Sequence, residues 1–293
     1  MAPLAQVLTA QSTSIPAGKM VLSIHQQTSQ AAGFKGSLEG WAKAGIKYVE
    51  ITATSLDTFL KDESIATAKR VFTDNGLTPV SGAAVLGDIW IPGPARAMSL
   101  ETWKKRCEQF ATLGLQKIYC PSITNQRVTP EQEKGVPDAV RESGEIAKQF
   151  NLTSMIEFAH TSTHLATLPT ALKVIREANH TNVKPMMDFF HFWAGRSKFE
   201  DLDMLRPGEL QHVHFQDILD VPRETIDNNG RVIPGDGAAP LVKILQKLKE
   251  KQYSGPLSVE LFIARLSNNP DAQATGAEIK QKCEKVMQQA GVL

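Results

Sequence analysis

The sequence predicts an α/β fold, a single (β/α)8 barrel, and three observations carry that expectation. Eight short apolar runs rich in β-branched residues recur along the chain, their starts 26 to 45 residues apart. Each gap holds a segment of helical period, enough for a helix and two loops in a right-handed βαβ unit. No Gly-rich phosphate loop, neither G-x-G-x-x-G nor G-x-x-x-x-G-K-S/T, follows an early strand, which sets aside a doubly wound sheet.

The elements follow in order. Strand one is "MVLSIHQ" (20–26), and "SLEGWAKAG" (37–45) after it reads as a helix between Ser and Gly caps. Strand two is "IKYVEIT" (46–52), followed by the helix "ESIATAKRVFTDNG" (63–76). Strand three is "TPVSGAA" (78–84), followed by "SLETWKKRCEQFATLG" (99–114), again opened by Ser and closed by Gly. Strand four, "QKIYCPS" (116–122), leads into the helix "TPEQEKGVPDAVRESGEIAKQFN" (129–151), and strand five, "LTSMIEF" (152–158), into "HLATLPTALKVIREAN" (164–179). Strand six is "KPMMDFF" (184–190) with the helical segment "FEDLDMLRPG" (199–208). Strand seven, "QHVHFQD" (211–217), opens a long polar loop, "DILDVPRETIDNNGRVIPGDG" (217–237), ahead of the helix "AAPLVKILQKLKEKQ" (238–252). Loops of that length in compact domains are usually functional. Strand eight is "PLSVELF" (256–262), and "TGAEIKQKCEKVMQQAG" (275–291) is the closing helix.

Residues 1–19 read as a flexible leader and 20–293 as one catalytic barrel domain, a length at which α/β barrels are single units. The leader lacks the basic and hydrophobic regions of a signal peptide, and no apolar stretch approaches the length of a membrane span. A formal charge of +1 gives no field for nucleic acid or an anionic membrane, so the expected partner is a small neutral molecule. Cys107, Cys120 and Cys283 are odd in number and lack metal-type spacing, which fits a reducing compartment. The cytoplasm is the expected location, with an export signal removed earlier left open.

In a parallel barrel the active site lies where the strands end. Glu157 ends strand five, Asp188 strand six, His214 strand seven and Glu260 strand eight. Three carboxylates at one end of a barrel repel one another unless a cation stands between them. A divalent ion meets that need, and oxygen ligands with one imidazole suit Mn, Mg, Co, Fe or Zn. Asp188, inside the apolar run "PMMDFFHFWAG", needs such a partner most. Around these four, His191, His160, Glu50, Arg223 and Arg231 are candidates for binding substrate, and His212, two residues before His214, for a supporting hydrogen bond. His25, Gln26, Lys184 and Trp90 are further candidates for lining the site, and "PGDG" (234–237) is a turn.

Together "IEFAH", "MMDFFHFWAG", "HVHFQD", "GRVIPGDGAAPL" and "YSGPLSVELF" resemble the xylose isomerase-like TIM-barrel superfamily of sugar phosphate isomerases and epimerases. The pattern is nearest that of the inosose isomerases, with ketose 3-epimerases and hydroxypyruvate isomerases close by. The resemblance implies a metal on Glu157, Asp188, His214 and Glu260, acid/base work by Glu157 and Glu260, and contact of His191 with a substrate oxygen. Two positions depart: Asp220 stands where ketose epimerases often carry arginine, and Thr163 where many members carry a second glutamate.

The implied chemistry is isomerisation or epimerisation of a ketose, inosose or related keto-sugar through an enediolate, with one glutamate removing a proton and the other returning it. The alternative on the same site is a dehydratase or lyase that expels a β-hydroxyl. Phosphodiester cleavage, also found in the superfamily, needs more histidines than the seven present and a basic surface. A binding barrel without turnover is a further class, separated by adding Mn or Co to stripped protein. "GRVIPGDG" offers no phosphate cradle, which favours an unphosphorylated polyol ketone. Barrels of this class often pair, so a homodimer is compatible with the chain.

Overall fold

A computed structural model describes residues 15–87 and 89–293; most of the expected leader, residues 1–14, lies outside the described residues. Eight parallel strands close a barrel: β1 (Met20–His25), β2 (Tyr48–Thr52), β3 (Thr78–Ala83), β4 (Lys117–Pro121), β5 (Thr153–Glu157), β6 (Val183–Asp188), β7 (His212–His214) and β10 (Gly255–Val259). The first and last close the ring, with Met20 beside Gly255 and Ile24 beside Val259. The expected barrel is therefore the observed fold, each strand within three residues of its expected bounds.

Outward residues of the strands pack under a ring of helices: α1 (Gly33–Lys43), α2 (Ala53–Phe59), α3 (Ile65–Asp74), α4 (Arg96–Leu113), α5 (Pro130–Gln149), α6 (Leu168–Ala178), α7 (Phe189–Ala194), α8 (Leu241–Glu250), α9 (Ala264–Ser267) and α10 (Ala272–Gln289). Thr129 caps α5 as expected, its hydroxyl accepting from Gln132 N–H while the Gln132 side chain reaches back. Gly114 and Asn179 end α4 and α6 in the left-handed region, at φ 90° and 48°. Ser37, Ser99 and Thr275, the expected openings of three helices, lie inside α1, α4 and α10 instead. Tertiary packing extends those helices past their local start signals, and Asp271 caps α10.

Two strand ends move for a reason that bears on the site. Phe189 and Phe190, expected at the end of strand six, begin α7, because Asp188 stops β6 and caps that helix. Strand seven stops at His214, and Asp217 opens a short antiparallel hairpin of β8 (Asp217–Ile218) with β9 (Arg231–Val232). The buried Asp217 carboxylate gathers the returning loop, accepting from the N–H groups of Gly235, Gly237 and Ala239 at 3.0–3.1 Å. Gly237 is obligatory there, since a Cβ would lie 2.3 Å from the Ile218 carbonyl oxygen. The "PGDG" turn thus folds the long loop back over the barrel mouth. Replacing Asp217 by alanine should cost about 2–4 kcal/mol through those lost charge-assisted bonds, read as a fall in the thermal midpoint.

Candidate metal centre

Side chains alternate in and out along a strand, so each strand offers its last inward residue to the barrel mouth. On β1, β5, β6 and β7 these are His25, Glu157, Asp188 and His214, and Glu260 follows directly after β10. All five are buried. Glu157, Asp188, His214 and Glu260 each present a ligand atom within 4.8 Å of the other three. From His214 Nδ1 the distances are 3.1 Å to Glu157 Oε1, 3.5 Å to Asp188 Oδ2 and 3.5 Å to Glu260 Oε2. The four strand-end residues that the sequence singles out therefore converge on one point.

Asp188, whose expected partner is the ion, has protein partners as well. Its Oδ1 accepts the His191 N–H at 2.7 Å, and Oδ2 accepts from Gln216 Nε2 at 2.6 Å and Arg231 at 3.2 Å. Arg231 is 2% exposed and its guanidinium lies over Phe190, 4.0 Å from the ring centroid, and Phe262, 4.8 Å away. The hairpin on Asp217 carries it there. Arg223, its equal in the sequence, is not brought to the site: it is exposed and stacks on Trp193 at 4.1 Å.

His191 lies beside the cluster with both ring nitrogens engaged. Arginine only donates, so Nε2 accepts from Arg231 at 3.3 Å, which assigns the single proton of the neutral ring to Nδ1, facing His160 Nδ1 at 2.8 Å. Burial pushes His191 down to about 3 despite the neighbouring Asp188, which keeps it neutral. His160, half-buried, is brought to the centre through that bond and is also lowered, first by burial and then by Arg231. The His191 ring as it stands has no spare N–H for a substrate oxygen.

Glu50 and His212 sit deeper. Glu50 Oε2 accepts from His212 Nε2 at 3.0 Å and lies 3.3 Å from His214 Nε2. His25 lines the mouth, accepting the Gln27 N–H on Nδ1 and meeting the Tyr119 hydroxyl through Nε2. Gln26 bridges Phe34, Ser37 and Thr52, tying β1 to α1 and β2. Lys184 stands near the start of β6, at the far end of the strand from Asp188, and buried Trp90 packs edge-on to Trp103. The residues expected at the site do not include Tyr119 and Asn228, which line the cavity, Asn228 accepting from Arg231 at 3.0 Å, or Gln216, which donates to Asp188. Inward alternation from Lys117 to Tyr119 to Pro121 was a usable signal for the first; nothing local marked the others.

The electrostatics are those of a cation site. Four carboxylates, Glu50, Glu157, Asp188 and Glu260, are buried together, and the buried Arg231 guanidinium lies against two of them, 3.2 Å from Asp188 and 3.7 Å from Glu260. Burial pushes Glu260 up to about 7, with further repulsion from Glu157 and Asp188, and burial likewise raises Glu157. Burial opposes ionisation of Asp188 too, but Arg231, with help from His214, outweighs it and holds its carboxyl well below the usual range. His214 runs against burial: Glu260, Glu50 and Glu157 raise it well above an ordinary histidine. Among the described residues, Glu157 Oε1 and His214 Nδ1, which face the cluster, have no hydrogen-bond partner, and His214 Nε2 has only the Glu50 carboxylate at 3.3 Å, without hydrogen-bond geometry. Unpartnered ligand atoms of this kind in a carboxylate cage fit a divalent ion. The cluster opens into a cavity of about 730 Å³ lined by His25, Tyr119, Glu157, Arg231, Glu260 and Phe262 among others.

Known proteins share this framework. Residues 38–283 match the family described as "Xylose isomerase-like TIM barrel". An inosose isomerase of Halalkalibacterium halodurans is 28% identical over 83% of this chain and 88% of its own. An inosose isomerase of Bacillus subtilis is 29% identical over 80% of this chain and 86% of its own. A crystal structure of the IolI protein with a bound zinc atom superposes with a TM-score of 0.79 at 26% identity, covering 93% of this chain and 98% of that one.

Proposed function

This chain belongs to the xylose isomerase-like TIM barrel family, and from that premise we propose that it is a divalent-metal-dependent isomerase or epimerase of a keto-sugar or inosose. The observation that carries the reading is the convergence of Glu157, Asp188, His214 and Glu260 within 4.8 Å of one another, at a cavity of about 730 Å³ that admits a small carbohydrate. The inosose isomerases, similar over most of both chains, support the substrate class.

Glu157, Asp188, His214 and Glu260 would hold the ion, one of Mn, Mg, Co, Fe or Zn, which when bound supplies Lewis-acid polarisation of a ketone. Glu157 and Glu260 border the cavity, and both are biased by burial toward taking up a proton. One removes the proton from the carbon beside the carbonyl, and the other delivers a proton to the neighbouring carbon or to the opposite face. Arg231 holds Asp188 ionised and offers donors toward substrate oxygens, steadied by Phe190 and Phe262. Three buried, unpaired cysteines suit a reducing compartment such as the cytoplasm, and among the described residues no helix is long and apolar enough to cross a membrane.

The test is incubation of metal-loaded protein with inososes and ketoses in D2O. Deuterium incorporated beside the carbonyl of an isomeric product supports the reading; an enone absorbance with loss of water assigns the same site to dehydration instead.

Ion loading should also release protons. In the ion-free protein His214 is raised well above its usual value and Glu260 to about 7, so protons occupy positions the ion must take. Affinity should therefore fall as pH falls, with about one to two protons released per ion at neutral pH. Calorimetry in buffers of different ionisation heat measures this, and a heat independent of buffer would refute it.

A further inference from the structure

The structure assigns to Glu50 the role of positioning residue for the metal centre: from inside the barrel its carboxylate stands 3.3 Å from His214 Nε2, where it would take up that nitrogen's proton once Nδ1 ligates the ion. This rests on the reading of His214 as a ligand. An imidazole that binds an ion through one nitrogen carries its proton on the other, and that proton needs an acceptor to hold the ring in place. His214 Nδ1 faces Glu157, Asp188 and Glu260, while Nε2 points the opposite way, 3.3 Å from Glu50 Oε2.

Glu50 lies away from the substrate cavity. It is fully buried and is not among the residues lining the cavity, so no substrate meets it. A buried carboxylate is destabilising by several kcal/mol, roughly, unless paired, yet β2 places one in the middle of its inward face. The same Oε2 atom also takes His212 Nε2 at 3.0 Å, which pins the carboxylate between two imidazoles. Tyr119 lies beside both rings, edge-on to His214 at 5.3 Å and near-parallel to His212 at 6.4 Å between centroids.

The surroundings are built for a charge. Glu50 Oε1, the hydroxyls of Ser23, Ser81 and Ser258, and His212 Nδ1 are all buried without a protein hydrogen-bond partner. They belong to β2, β1, β3, β10 and β7, five strands adjacent around the barrel, and Ser81 is the register partner of Glu50. Ser23, Ser258 and His212 each stand two residues before His25, Glu260 and His214, one inward position deeper. The remaining strands fill the same interior with Tyr119, Met155 and Met186. Small polar side chains on one side and bulky ones on the other make a polar chamber directly beneath the cluster, in which an ionised Glu50 is tolerable.

The experiment is a competition titration of the full chain with Zn, Co or Mn against a chromophoric chelator. Glu50→Gln, which keeps shape but removes the charge, should weaken ion binding about 10–100-fold. The nitrogen shifts of His214 in the ion-free variant should move away from the wild-type pattern, a change that lost packing alone does not produce. Ser81→Ala, in the same chamber, should stay within about twofold of wild type. If Glu50→Gln does not fold, Glu50→Asp carries the test, since its carboxylate is one methylene short of His214 and should weaken binding likewise. Wild-type affinity in the Glu50 variant, or equal weakening in Ser81→Ala, overturns the role. Wild-type protein that binds no ion overturns the ligand reading beneath it, and this role with it.

Discussion

Replacing His214 by alanine is expected to abolish bound metal in elemental analysis and to lower kcat/KM by about 10³-fold or more, because charge stabilisation worth several kcal/mol goes with the ion. His214 alone supplies nitrogen to the four-residue cluster, and its two nitrogens connect the carboxylates at the mouth to Glu50 beneath. Removing it leaves Glu157, Asp188 and Glu260 facing one another across a small cavity with Arg231 as their nearby cation. Truncating one partner of a buried charge network leaves the others unpaired, so the thermal midpoint of ion-free protein should fall as well. Asp188→Ala should give the same loss of metal, with a further effect on α7, whose cap it is. Full occupancy in both variants would refute the ligand assignment.

Glu157→Gln and Glu260→Gln should each lower kcat by about 10²–10⁴-fold, the usual worth of a positioned acid or base. An amide neither takes nor gives the proton, but its oxygen still reaches the ion, so part of the affinity should survive while the rate is lost. Labelled substrate separates the two roles. The variant that keeps the abstracting carboxylate should still exchange deuterium into unreacted substrate, whereas the variant lacking it should exchange none. If both variants keep more than about a tenth of the parent rate, neither carboxylate performs acid/base work.

The candidate site was legible in part because barrel geometry turns chain order into position. Glu157, Asp188 and His214 were readable as strand-end residues since a period of two and a parallel sheet leave little freedom in where they point. Glu50 is legible near a strand end, but its depth is not, since depth depends on how far β2 is sheared relative to β7 across the ring. The helix after Asp188 was hidden by composition: "FFHFWA" is as apolar and aromatic as a strand, and only the capping bond from His191 N–H to Asp188 distinguishes the two. His191 looked available as a loop histidine, yet its partners Arg231 and His160 lie 40 and 31 residues away in the chain.

By itself, then, the sequence determined the eightfold strand-helix repeat, the end of the barrel where chemistry sits, and the residue types that meet there. Those features arise from local alternation and from capping, interactions between residues close in the chain. Only the tertiary structure decided that Arg231 and not Arg223 enters the cluster, because the choice is made by Asp217 gathering the N–H groups of Gly235, Gly237 and Ala239 and folding the loop inward. It likewise decided that Glu50 stands behind His214, 164 positions further along the chain. Such pairings depend on which strands become neighbours across a closed ring, and no local pattern encodes that.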